Sequence, residues 1–284
     1  MSEVRCALEA QAALGEGPVW CEVTNRLWWI DIVGQILHRF DPATGGDDTW
    51  PLPEPPGTLA LCGDGRIVVA LASGLSWFDP ATGALTPFLP IDADNPATRL
   101  NDGRCDRQGR LWVGSMARKG GGPVGTLYRV SGSTLTAIRP GIIVPNCTAF
   151  SPDGRTMYFA DSPTKKIVSC TLNPETGEIG APKLFAEPPR GAPDGGTVDA
   201  EGHLWVALWD GSALARYRPD GSLERLVDLP VRRPTCPAFG GEGLATLFVT
   251  SARNGLDAPG DAEGGILAFE PGVCGLPESR FAAA

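Results

Sequence analysis

Six short apolar runs recur along this chain at a nearly constant interval, and that interval limits the fold more than any other feature. The runs are LWWID, IVVAL, LWVGS, MYFAD, LWVAL and LFVTS, beginning at Leu27, Ile67, Leu111, Met157, Leu204 and Leu247. Successive starts lie 40 to 47 residues apart, the spacing of a repeated supersecondary unit. Each run is rich in aromatic or β-branched residues, which favour strands. The turns repeat as well. DPATG stands at 41–45 and 79–83 and NPETG at 173–177, while GDGR, DRQGR, SPDGR and DAEGH precede four of the runs. Asp or Asn first, Pro next and Gly last is the chemistry of tight turns, with Gly supplying positive φ in hairpins. No sustained helical period lies between them.

A unit of this length holding about four short antiparallel strands is one propeller blade, and six such units fill the 284 residues. The expectation is an all-β, six-bladed β-propeller forming a single domain over residues 1–284. Ring closure is expected to use Val4 to Ala10 as a strand beside Gly265 to Phe269. The length alone would suggest two domains, but a two-domain β-sandwich explains the turns and not the even period. With 37 Gly, 27 Pro and 42% hydrophobic residues, the chain reads as turn-rich and globular with a sizeable core.

A net charge of −9 argues against nucleic-acid and anionic-membrane partners, because both need clustered Lys and Arg. The apolar runs are far shorter than the roughly 20 residues that span a bilayer, and the N-terminal segment has no apolar core of signal-peptide length. A soluble, unprocessed, cytoplasmic protein is expected. Eight cysteines without a C-x-x-C pair read as free thiols, one N-terminal disulfide being left open. His38 and His203 read as surface or structural residues without partners. G-x-S-x-G is absent, so covalent catalysis by a Ser-His-Asp set is not expected.

A propeller's central channel is lined by the inner strand of each blade and the loops preceding it, so polar residues that the repeat does not need are candidates for a site. Three stand out. Glu16 in LGEGPVW is a carboxylate between glycines, and could equally be a solvated loop acid. Asn146 in GIIVPNCTAF is an amide in an apolar strand, and could mark a bulge or turn. Asp194 in GAPDGGTVD could head an Asx-turn. Together they offer two carboxylates and an amide oxygen from blades one, four and five. That set suits one hard divalent cation such as Ca²⁺, Mg²⁺ or Mn²⁺, with Fe²⁺ or Zn²⁺ also open.

GEGP at 15–18, RLNDG at 99–103, the apolar run ending in Asn146 with SPDG after it, and PDGG at 193–196 with DAEGHLWVA follow one another at blade-length gaps. In that order they resemble the SMP-30/gluconolactonase family, which includes regucalcin and bacterial aldonolactonases, and the resemblance covers essentially the whole chain. It implies a six-bladed propeller with one catalytic divalent metal held by Glu16, Asn146 and Asp194. It places substrate binding on Arg99 and Asn101, with Asp102 beside them. The implied reaction is hydrolysis of a sugar lactone, such as xylono-, arabino- or glucono-lactone, to its aldonic acid by a monomer in carbohydrate catabolism. Asp194 would be both ligand and general base. A metal-dependent phosphotriesterase-like hydrolase and a non-catalytic calcium-binding propeller are the alternatives. One stretch departs from the regucalcin-like pattern: MARKGGGPVGTLYRV is short, basic and glycine-rich where those proteins have a longer loop with an acidic residue. Arg118 or Lys119 could there meet an anionic or heavily hydroxylated ligand.

Overall fold

Each of the six apolar runs becomes the second strand of a four-stranded antiparallel sheet. In the computed structural model, which describes residues 2–283, these strands are Arg26–Asp31, Ile67–Leu71, Leu111–Ala117, Thr156–Asp161, Leu204–Trp209 and Thr246–Ser251. They read as uninterrupted apolar runs because they are buried on both faces between neighbouring blades. Aromatic pairs bridge those faces, as where Trp20 stacks on Phe248 at 5.7 Å. The only helical segments among the described residues are the 3₁₀ turns Ser162–Thr164 and Glu242–Leu244.

The first strand of each blade is the innermost: Gly15–Cys21, Pro56–Leu61, Thr98–Cys105, Pro145–Phe150, Ala192–Val198 and Pro234–Gly240. Each contacts the corresponding strand of the blades on either side, so the six close a ring. Closure occurs as expected from the sequence. The N-terminal strand Arg5–Leu8 pairs with Ile266–Phe269 and completes the last blade.

The repeated turns have a common physical basis. Asp41 accepts hydrogen bonds from the Ala43 N–H (3.0 Å) and the Thr44 hydroxyl (2.8 Å), and Gly45 ends the turn at φ +77°. In DRQGRLW and DAEGHLW the leading Asp is completely buried. Asp106 accepts from the Trp112 indole (2.9 Å) and Arg110 Nε (2.6 Å), and Asp199 from the Trp205 indole (2.9 Å) and Arg216 Nη2 (2.7 Å). These carboxylates tie the turn to the second strand that follows.

All eight cysteines are free. His38 does have a partner, contrary to the sequence reading: Nδ1 lies 2.7 Å from an Asp47 carboxylate oxygen, and the ring stacks on Trp29. It is a buried structural residue. Among the described residues, no helix is long and apolar enough to cross a membrane.

Candidate active site at the channel bulges

The pairing between first and second strands slips by one residue in every blade, and always near the same level. The slips fall between Glu16 and Val19, Pro56 and Thr58, Leu100 and Gly103, Asn146 and Ala149, Pro193 and Gly196, and Pro234 and Pro237. A β-bulge re-aims side chains out of the pleat, and six at one level form a ring of re-aimed positions around the channel. Glu16, Asn101, Asn146 and Asp194 all belong to that ring. Glu16 and Asn146 are the last paired residues before their bulges, whereas Asn101 and Asp194 sit within theirs. The residue after Glu16 is Gly17 at φ +54°, and the residue after Asn146 is Cys147 at φ +57°. Glycine takes that conformation freely, whereas cysteine bears a cost of roughly 1–2 kcal/mol, so the bulge geometry is imposed by its surroundings. Gly195 has a different reason. A side chain there would collide with Cys236 of the next blade.

These residues line a cavity of ≈ 330 Å³ that opens on one face of the ring. Its floor is polar and deeply buried: Glu16 is 8% exposed, Asn146 5%, Asp194 5% and Asn101 7%. Leu14, Ile32, Met116, Val144 and Trp209 form much of its wall, with Arg99, Ser162 and Lys165 adding polar groups. The volume suits a small molecule. Asp102 does not join this cavity. Its carboxylate accepts the Thr148 N–H (2.8 Å), and it lines a separate small cavity beside Arg104 and Glu278. Arg118 and Lys119 also lie outside the lining; Arg118 Nε donates to the Thr98 carbonyl at 2.7 Å.

The amide orientations follow from donor counting. Ser162 Oγ lies 2.7 Å from the Pro193 carbonyl, which can only accept, so its single proton is used there. The 2.8 Å contact between Ser162 and Asn146 must therefore be donated by Asn146 Nδ2, which leaves Asn146 Oδ1 turned away from Ser162. Asn101 is a brace: Nδ2 donates to the Pro145 carbonyl (2.9 Å) while Oδ1 accepts from Arg99 Nη1 (2.8 Å). Arg99 Nη1 also donates to the Leu100 carbonyl, leaving Nε and Nη2 for a ligand. Ser162 had no mark in the sequence beyond following the MYFAD run. It links the bulges of blades four and five.

Glu16 and Asp194 form a pair of buried carboxylates, and neither makes an ion pair within 4.0 Å among the described residues. Burial, and then the negative charge of Asp102, push the Glu16 carboxyl up to about 8. Burial and the charge of Glu16 likewise raise Asp194 well above the usual carboxylate range. Arg99 lies close enough to favour the Glu16 anion, while its own burial lowers the guanidinium to about 10. Two buried carboxyl groups whose ionisation lacks compensation without a cation, beside an amide whose nitrogen is turned to Ser162, make a donor set that fits a hard divalent cation. The third oxygen comes from an amide. Among the described residues, no group of three or more His, Cys, Asp and Glu is placed to hold a metal.

A stability prediction follows, with its sign set by linkage. In the unfolded chain Glu16 ionises near 4.5, whereas in the folded, metal-free protein it keeps its proton up to about 8. The folded state thus binds more protons through that window, and stability falls as pH rises, by at most about 1.4 kcal/mol per pH unit for each such proton. Denaturant unfolding with a chelator at several pH values should show this slope, and Glu16→Gln should reduce it to the part that buried Asp194 carries.

Comparison with known proteins identifies the family. The profile described as the SMP-30/Gluconolactonase/LRE-like region matches residues 14–253. The L-arabinolactonase of Azospirillum brasilense is 41% identical over 96% of this chain and 94% of its own length. The 6-deoxy-6-sulfogluconolactonase of Pseudomonas putida is 37% identical over 98% of both chains. The crystal structure of regucalcin from Agrobacterium tumefaciens, described as a calcium-binding protein, superposes with a TM-score of 0.93 at 35% identity, covering 99% of this chain and 97% of that one. With a family model matched over most of its length and relatives this similar, the chain belongs to the SMP-30/gluconolactonase/LRE-like family.

Proposed function

We propose that this chain is a sugar lactonase, hydrolysing aldonolactones to aldonic acids with one divalent cation held by Glu16, Asn146 and Asp194. The carrying observation is the Glu16–Asp194 carboxylate pair, buried on the floor of a small-molecule cavity and without an ion-pair partner among the described residues. The lactonase names carried by the similar proteins of Azospirillum and Pseudomonas support the substrate class. The expected working unit is a monomer, with residues 1–284 as one domain and a small molecule as its partner.

When bound, such an ion supplies a Lewis acid for the lactone carbonyl and lowers the pKa of water. Asp194, the carboxyl within the blade-five bulge, would be held ionised by the cation's charge and would then take the proton of the attacking water. As the carbonyl carbon to ring-oxygen bond breaks, that oxygen must gain a proton, and protonated Asp194 can return it. Arg99 offers Nε and Nη2 to substrate oxygens away from the reacting carbonyl, and Asn101 holds the guanidinium in place. Ser162 keeps the Asn146 amide from rotating. The buried thiols of Cys147 and Cys236, pushed well up by burial, lie against Gly196 and Gly195 and stay neutral packing groups.

The apolar wall of Leu14, Ile32, Met116, Val144 and Trp209 is the one observation that favours a second reading, hydrolysis of an apolar phosphotriester. Both readings are tested by following acid release from a panel of pentono- and hexono-lactones beside an organophosphate triester. Ring opening of at least one lactone, with kcat on the order of 1–10³ s⁻¹, is expected. Rates at the spontaneous level for every lactone would refute the proposal, and turnover of the triester alone would replace it with the second reading.

A further inference from the structure

Resting on the lactonase reading, we infer that the mouth of this cavity is a subsite for an anionic group on the lactone's exocyclic carbon, formed by Lys165 and Arg99 in the field of Arg118. The preferred substrate class would then be aldonolactones with a charged terminus: a carboxylate, sulfonate or phosphate.

The argument begins with where cations lack partners. In a chain of net charge −9, carboxylates are available to surface cations, as Asp48 is to Arg39 and Asp210 to Arg233. Arg99, Arg118 and Lys165 form no ion pair within 4.0 Å among the described residues. Their positions nonetheless converge. Arg99 and Lys165 both line the cavity, and Arg118 stands close enough to Arg99 for its positive charge to act against the guanidinium's own. Nearby acids are committed elsewhere. Asp161, at the end of the blade-four second strand, accepts the Ile143 and Val144 N–H groups, and Asp210 holds Arg232 and Arg233.

Lys165 is exposed and lines the cavity, so it marks the opening. Its backbone is held at φ +56° and ψ +27°, capping the Ser162–Thr164 turn with its N–H on the Ser162 carbonyl. Glycine or asparagine is the usual residue in that conformation, and lysine there carries local strain at a ligand-lining position. A neutral sugar tail gives an ammonium group at the mouth no charge to meet. An anionic terminus, with the lactone carbonyl toward Glu16 and Asp194 on the floor, would be met by Lys165 and by the free nitrogens of Arg99, with charge-assisted hydrogen bonds available from both.

The test measures kcat/KM for lactones matched in ring size, with a neutral, carboxylate, sulfonate or phosphate terminus, in the wild type and in Lys165→Met and Lys165→Gly. We expect at least one charged terminus to be favoured over the neutral one by about fivefold or more at low salt, and the ratio to shrink as rising salt screens the mouth. In both variants the ratio should fall toward one, mainly through KM. Lys165→Gly also relieves the left-handed backbone, so its melting temperature should not fall, which separates loss of charge from loss of fold. A wild-type ratio below about fivefold for every charged terminus, or a ratio that survives both substitutions, overturns the inference. Neutral turnover without preference refutes only this subsite. Absence of turnover on every lactone refutes the lactonase reading with it.

Discussion

Asp194→Asn is expected to lower kcat on any accepted lactone by about 10³-fold or more while leaving the propeller folded. Two losses combine at one atom. The amide can still offer an oxygen to a cation, but it lacks the charge that balances one, and it cannot take a proton from water. The fold should tolerate the change because Asp194 contributes no stabilising ion pair. It is a buried carboxylate beside a second one, raised well above its ordinary range. Removing a carboxyl that can ionise there only at a desolvation cost should make the metal-free protein more stable as pH rises, as expected where a site is maintained at the expense of the fold. Circular dichroism and denaturant unfolding beside the lactone assay check both halves. Near-normal turnover would return Asp194 to the role of a turn residue.

The largest stability effect is expected far from the site. Asp199→Ala should cost about 3–5 kcal/mol, a large share of the 5–15 kcal/mol that holds a typical protein folded. Asp199 is fully buried and accepts from the Glu201 and His203 N–H groups, the Trp205 indole and Arg216. The Arg216 side chain is itself only 3% exposed, so the truncation strands much of a cation and an indole N–H inside the protein. Glu201 and Glu224 also meet Arg216, which keeps the loss from being larger. Asp153, on the corresponding turn of blade four, is exposed and serves as the control. It bonds the Ser151 hydroxyl and the Arg155 N–H, and Asp153→Ala should cost under about 1 kcal/mol. Equal losses for the two would mean that the repeated turn, and not the buried charge network, carries the stability.

The contrast between these turns shows which parts of the molecule could be read from sequence. The period and the turn residues are local properties, so blade number, strand positions and the closing pair of Arg5–Leu8 with Ile266–Phe269 were legible. Glu16, Asn146 and Asp194 were legible as polar residues that a buried strand does not need. The structure adds their common cause, a one-residue slip at the same level of each blade. What stayed hidden depends on side-chain direction and on contacts between blades. Asn101 and Asp102 are adjacent in sequence and were grouped for that reason. Both lie in the bulge between Leu100 and Gly103, which sends them to different cavities, and only Asn101 reaches that of the site. Ser162 joins the site by bonding Asn146 and the Pro193 carbonyl, a link between two blades that no spacing within one blade reveals. Lys165 was hidden because an exposed lysine after a strand looks like any solvated residue, whereas Arg118 and Lys119 stand out by the departure of their short basic stretch from the regucalcin-like pattern and yet lie outside the cavity lining.

The decisive experiment is the lactone-opening rate of the purified protein before chelation, after exhaustive chelation and after stepwise return of a single divalent cation, with bound metal counted alongside. Turnover should vanish on stripping and return in proportion to metal up to one ion per chain, and Asp194→Asn should show no such recovery. Full activity in the stripped protein, or recovery that needs neither Glu16 nor Asp194, would contradict a metal centre built from the channel bulges.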